Sequence, residues 1–168
     1  EYVLKFVLHS ELLQQQQQIS WTSAAASGIT GNADGTGTSI AQTLTSSNTT
    51  PTTVSYVVSV TANGCTAPTQ TVNVVVNPTP QVTITNNDDS ICSEEFTDIN
   101  LTSTVSGTVF NWTVITGAVY GASAGSGSSI TQELVNTTNS PKLVRYAVTP
   151  SFTNAGVTCT GTTQNVSV

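Results

Sequence analysis

Beyond residue 18 the apolar residues of this chain recur in short runs with a two-residue beat, and turn-forming text separates the runs. Val144, Tyr146 and Val148 alternate with Arg145 and Ala147, the pattern of a strand with one face in a core and the other in water. On this beat strands are predicted at Ile19–Thr22, Ser39–Leu44, Val54–Val60 and Gln70–Val76. A second set follows at Gln81–Thr85, Ile99–Ser103, Val109–Val114, Ser129–Leu134, Leu143–Thr149 and Gln164–Val168. Stretches such as Gly31 to Gly37 supply the turns between them. No helical period occurs after residue 18.

The two sets are one pattern written twice. Ile19-Ser20-Trp21-Thr22 matches Phe110-Asn111-Trp112-Thr113 at an offset of 91, and Ser39-Ile40-Ala41-Gln42-Thr43-Leu44 matches Ser129-Ile130-Thr131-Gln132-Glu133-Leu134 at 90. Pro51 pairs with Pro141 and Tyr56 with Tyr146 at 90, while Cys65, Gln70 and Val72 pair with Cys159, Gln164 and Val166 at 94. A drift of so few residues is what loop insertions in a duplicated domain produce. The fold expected is therefore all-β, with two tandem immunoglobulin-like antiparallel β-sandwich domains of about seven strands each, at residues 1–78 and 79–168. Between them Asn77-Pro78-Thr79-Pro80 forms a joint. Its prolines cannot continue a ladder, and they are expected to hold it in extended polyproline geometry outside either core.

Residues 1–18 depart from the pattern. Tyr2–Leu8 alternates like a strand, Ser10–Gln18 suits a helix equally, and Gln14 to Gln18 is low-complexity. The segment reads as a diverged strand pair or as text foreign to the repeat.

Composition narrows the partners. Lys5, Lys142 and Arg145 are the whole cationic set, charged residues make up 7% of the chain and the net charge is −6. A surface that tracks nucleic-acid phosphates needs clustered Lys and Arg, and an anionic membrane would repel this chain. Neither nucleic acid nor membrane insertion is expected. Polarity comes instead from 32 Thr and 20 Ser, and threonine favours strands.

Candidate chemistry is sparse. Trp21 and Trp112 stand two residues after Ile19 and Phe110, which directs both indoles into a core rather than onto a sugar-stacking surface. Cys92 lies early in the second unit and Cys159 late, with no Cys/His cluster nearby, so a Cys92–Cys159 disulfide is the simplest pairing. Such a bridge would remove about 4 kcal/mol of chain entropy from the unfolded state and imply an oxidising compartment. Cys65 is left without a mate. Five of the nine acidic residues, Asp88, Asp89, Glu94, Glu95 and Asp98, fall just after the joint. They are weak calcium candidates beside the reading of a solvated acidic face, since their spacing matches no EF-hand loop. No other cofactor is suggested. The Gly121–Ser129 run has the glycines of a phosphate loop without its lysine, and reads as a strand connection. His9 is the only histidine, so serine and cysteine triads are unavailable, and adjacent Glu94 and Glu95 would point to opposite faces of a strand. The chain is expected not to be an enzyme.

Several of these landmarks occur together in a known family. Phe110, Trp112, Gln132, Leu134, Asn136, Val144, Tyr146, Val148, Pro150 and Cys159-Thr160-Gly161, with the joint residues Asn77, Pro78 and Pro80, resemble the PKD-like/Ig-like repeats of giant Bacteroidetes cell-surface proteins of the gliding-adhesin kind. The resemblance implies type IX secretion and display on the outer surface, associated with the outer membrane. It also implies a structural role as a semi-rigid spacer in a long adhesin or filament. Neighbouring repeats of the same polypeptide, surface polysaccharide and the secretion or motility machinery are the partners it implies. The alternative is a carbohydrate-binding accessory module of a secreted polysaccharide-degrading enzyme. Asp89-Ser90-Ile91 further resembles the O-glycosylation signal of exported proteins in that phylum, which makes Ser90 a candidate acceptor.

Overall fold

The computed structural model describes residues 17–24 and 26–168. The strand expected over Tyr2–Leu8, His9, and all but the last two residues of the Ser10–Gln18 stretch lie outside them. The described chain is all-β and divides into two compact units, the first running to Val76 apart from Asn48–Pro51, which groups with Asn77–Val168 in the second.

In the first unit, β1 (Gln18–Ser23), β2 (Ile29–Thr30), β3 (Gly35–Thr36), β4 (Thr45–Ser46), β5 (Thr52–Ala62), β6 (Cys65–Thr66) and β7 (Gln70–Val76) follow in order. The long β5 organises them. Its one edge carries β1, with Trp21 opposite Val58, and its other edge carries β7 and then β6, all antiparallel. Strand β3 extends the sheet beyond β1, and β2 pairs with β4 separately. The inward side of the sheet gathers Trp21, Ile29, Val54 and Tyr56 into a core, against which Ile40, Leu44, Val58 and Val76 pack. Asn63-Gly64 turns β5 into β6 with both residues at positive φ, 53° and 76°, the two-residue turn whose twist suits a hairpin.

In the second unit the same arrangement returns. Strands β8 (Thr83–Asn86), β9 (Glu95–Phe96) and β10 (Ile99–Thr102) precede β11 (Val109–Thr116), β12 (Gly125–Ser126), β13 (Ser129–Ile130) and β14 (Glu133–Leu134). Then come β15 (Arg145–Asn154), β16 (Val157–Thr160) and β17 (Gln164–Ser167). Strand β15 plays the part of β5, with β11 on one edge and β17 and β16 on the other. A three-stranded sheet ordered β13-β10-β8 covers the inward side, and β9 pairs with β14. Val82, Ile99 and Leu101 from the covering side meet Phe110, Trp112, Tyr146 and Val148 in one core. Full burial of each aliphatic or aromatic side chain in this cluster contributes about 1.5–3 kcal/mol.

The alternation expected at Val144, Tyr146 and Val148 holds, since all three are buried while Arg145 is exposed. Both tryptophans are core residues, at 8% and 7% exposure. Three expectations fail. Ser39–Leu44 is not a strand, and Ser129–Leu134 is broken into β13 and β14 around Thr131 and Gln132, because Gln42 and Gln132 spend their side chains on a neighbouring loop, as described below. The prolines of the joint do not lie outside the cores. Pro78 and Pro80 are fully buried and belong to the second unit, where Asn77 Oδ1 also accepts a hydrogen bond from Asn154 Nδ2 at 2.9 Å.

Candidate functional site

Each unit is fastened by the same polar clasp. A sharp loop brings Ala33 in the first unit and Ser123 in the second over the tryptophan strand. There the indole Nε1–H of Trp21 donates to the Ala33 carbonyl at 3.2 Å, and that of Trp112 to the Ser123 carbonyl at 3.2 Å. Gln42 grips the same loop residue twice, accepting from the Ala33 N–H at 3.1 Å and donating to its carbonyl at 2.7 Å. Gln132 does likewise with Ser123 at 3.0 and 2.9 Å. The tyrosine hydroxyls complete the set. Tyr56 donates to Gln42 Oε1 at 2.8 Å and Tyr146 to Gln132 Oε1 at 2.9 Å. Burial pushes the Tyr146 phenol above its ordinary value, which keeps it protonated as the donor this geometry requires. Loss of either glutamine would leave a part-buried tyrosine hydroxyl without its acceptor, at about 1–3 kcal/mol, while the exposed loop N–H would turn to water.

The glycine two residues after the loop residue is part of the clasp. A Cβ on Gly35 would stand 2.5 Å from Trp21 Cζ2, and one on Gly125 would stand 2.7 Å from Trp112 Cζ2. Only glycine lets the loop lie flat on the indole. Sequence matching found Trp, Gln and Tyr as landmarks, yet periodicity cannot show that a glutamine between two apolar residues reaches back to a backbone nine residues away. The clasp holds no nucleophile and base together. It is a fastening.

The acidic stretch is not gathered into a metal centre. Glu95 Oε2 accepts the Cys92 N–H at 2.7 Å, and Asp98 accepts from Asn87 at 2.9 Å and Asn100 at 3.2 Å. Glu94 sits in a turn at φ 75° and, with Asp88 and Asp89, is exposed. Among the described residues no three of His, Cys, Asp and Glu come together as a metal-holding group. Ser90 is exposed and lines a cleft of about 220 Å³ together with Cys92, Asn136 and Lys142, at the end of the unit where Val144 and Val168 pair through both backbone hydrogen bonds. The Gly121–Ser129 run carries Ser123 of the clasp and the short β12, as a connection between strands.

The Cys92–Cys159 disulfide is a correction. All three cysteines are free thiols. Cys92 shares its cleft with Val144, whereas Cys159 pairs with Phe152 at the other end of β15. Eight residues of extended chain separate Val144 from Phe152, a rise of roughly 26 Å, far beyond the roughly 7 Å between Cα atoms that a bridge tolerates. Early and late positions in the sequence proved to be opposite ends in space, and the oxidising compartment loses that support. Thiol titration of denatured, unreduced protein should count Cys65, Cys92 and Cys159 as reactive, and peptide mapping should find no Cys92–Cys159 link.

Two aromatic residues that the alternation did not single out face solvent, Phe96 at 57% and Tyr120 at 72% exposure. Among the described residues of the first unit, Val72, Val74 and Val75 on β7 are also exposed. No helix among the described residues is long and apolar enough to cross a membrane.

A family model described as PKD-like domain matches residues 3–80 and, separately, residues 89–168. The first match thus begins within the stretch that departs from the internal repeat. No curated protein and no solved structure matches the chain.

Proposed function

The chain belongs to the PKD-like domain family, twice over, and from that premise we propose that it is a spacer segment of a long surface adhesin or filament. PKD-like domains are generally extracellular structural or adhesion-type modules and are typically non-catalytic. The finer reading, a gliding-type adhesin exported by the type IX route and displayed at the outer membrane, extends this premise through the landmark residues Phe110, Trp112, Gln132 and Tyr146. Its partners are then the neighbouring repeats, with surface polysaccharide and the secretion or motility machinery.

One observation supports the spacer reading: the residues that follow Val76 are built into the second unit. Strand β7 ends at Val76, the next residue is tied to Asn154, and Pro78 and Pro80 are packed within the second unit. A linker of free residues would wander as a coil, whereas proline-fixed and docked residues cannot. Small-angle scattering on the two-unit chain tests the proposal. A spacer should give a radius of gyration well above the roughly 15 Å of one compact globule of this length. A value at that limit would remove the spacer reading.

A further inference from the structure

The middle of a small antiparallel sheet in the second unit is the segment Glu133–Val135. On one side Glu133 stands opposite Phe96 and Leu134 opposite Glu95. On the other, Tyr120 and Val135 exchange both backbone hydrogen bonds, at 3.1 and 3.0 Å. Residues directly opposite in a ladder share a face, and neighbours along a strand alternate. Leu134 is 5% exposed and points into the core, so Glu133, Val135, Phe96 and Tyr120 all project outward on one face. The two rings flank the middle strand, two residues apart in register, with their Cα atoms roughly 12 Å apart.

The fold does not demand the Tyr120 ring. At the positions equivalent to Tyr120, Glu133 and Val135 the first unit has Thr30, Thr43 and Thr45, and there Thr30 and Thr45 hydroxyls bond each other at 2.6 Å across the same kind of ladder. Two threonines close that pairing without an aromatic. The second unit instead exposes two large rings on this face, and a paired outward aromatic surface on an otherwise hydroxyl-rich domain marks a contact site.

We propose that Tyr120 and Phe96 form a two-ring platform for a neutral polysaccharide, with Glu133 between them as hydrogen-bond acceptor for sugar hydroxyls. Exposed aromatic faces offer apolar area to the C–H faces of sugar rings at little entropic cost, since each has only two side-chain torsions, and the tyrosine hydroxyl remains free to bond at the edge. The separation suits two sugar units of one chain rather than a single ring. Neutral glycan is favoured over an anionic one because Glu133 stands on the platform's own face and no Lys or Arg belongs to it. The site is independent of the spacer role, since a spacer that lacked it would keep its dimensions.

Affinity electrophoresis of the whole chain through gels containing soluble xylan, mixed-linkage β-glucan or galactomannan, with alginate as the anionic comparison, tests this. At least one neutral glycan should retard the native chain and alginate should not. Tyr120→Thr and Phe96→Ala should each weaken retardation roughly tenfold while the thermal unfolding curve stays in place, and Glu133→Gln should weaken it less. Retardation by none of the neutral glycans, or equal retardation of the Tyr120→Thr/Phe96→Ala double variant, overturns the proposal. So does a concentration-dependent dimer in sedimentation that the double variant abolishes, because the platform would then be a contact between copies.

Discussion

Trp112→Ala should strongly destabilise the second unit while the first keeps its stability. The indole is 7% exposed, sits among Phe110, Tyr146 and Val148, and supports the Ser123 loop both by its hydrogen bond and by the flat contact with Gly125. Truncating a buried tryptophan costs about 3–5 kcal/mol, a large share of the roughly 5–15 kcal/mol that holds a domain together. The vacated space cannot be refilled by the loop, because Gln132 holds Ser123 at a fixed distance from Tyr146. Urea unfolding followed by circular dichroism, with Trp21 fluorescence reporting the first unit alone, separates the two transitions. A shift of less than about 1 kcal/mol in the second transition would show that the clasp survives without its indole.

Gly161→Ala should be nearly as damaging, for a different reason. The Gly161 N–H donates to the Pro150 carbonyl at 2.9 Å, and a Cβ there would stand 1.8 Å from the Pro80 carbonyl oxygen and 2.9 Å from Pro150 Cγ. Backbone cannot yield as a flexible side chain would, so the joint must lift off. Overpacking of this kind costs about 1–3 kcal/mol or more, and here it also exposes two buried prolines. Urea unfolding of the second unit checks this: an unchanged midpoint for Gly161→Ala would mean that the Pro80 backbone moves aside at no cost.

The sequence showed most where a side chain's role follows from its position on a strand. Gln70–Val76 is found at the expected residues, the valines and tyrosine of β15 alternate as expected, and the tryptophans are core. It showed least where a side chain acts across a gap in sequence. Gln132 interrupts a strand that its apolar neighbours suggest, because its amide serves a loop nine residues back. Pro78 and Pro80 look like punctuation from composition alone, and only the placement of Gly161 shows that they pack inside a unit. The cysteines were paired by order along the chain, a measure that says nothing about which end of a strand each occupies. Phe96 lies on a two-residue strand and Tyr120 in an isolated bridge, so no alternation could assign them a face.

The way the chain enters and leaves the second unit sets how that unit bears load. Asn77 is tied to Asn154 at one end of β15, and Val168 is bonded to Val144 at the other, with ten residues and a rise of roughly 33 Å between. A pull on the two ends therefore runs along the strands, and the four paired residues of β17 must slide past β15 together. Bonds loaded in shear share the force, whereas bonds at the end of a hairpin peel one by one. Failure under such a load is set by the height of the unfolding barrier rather than by equilibrium stability.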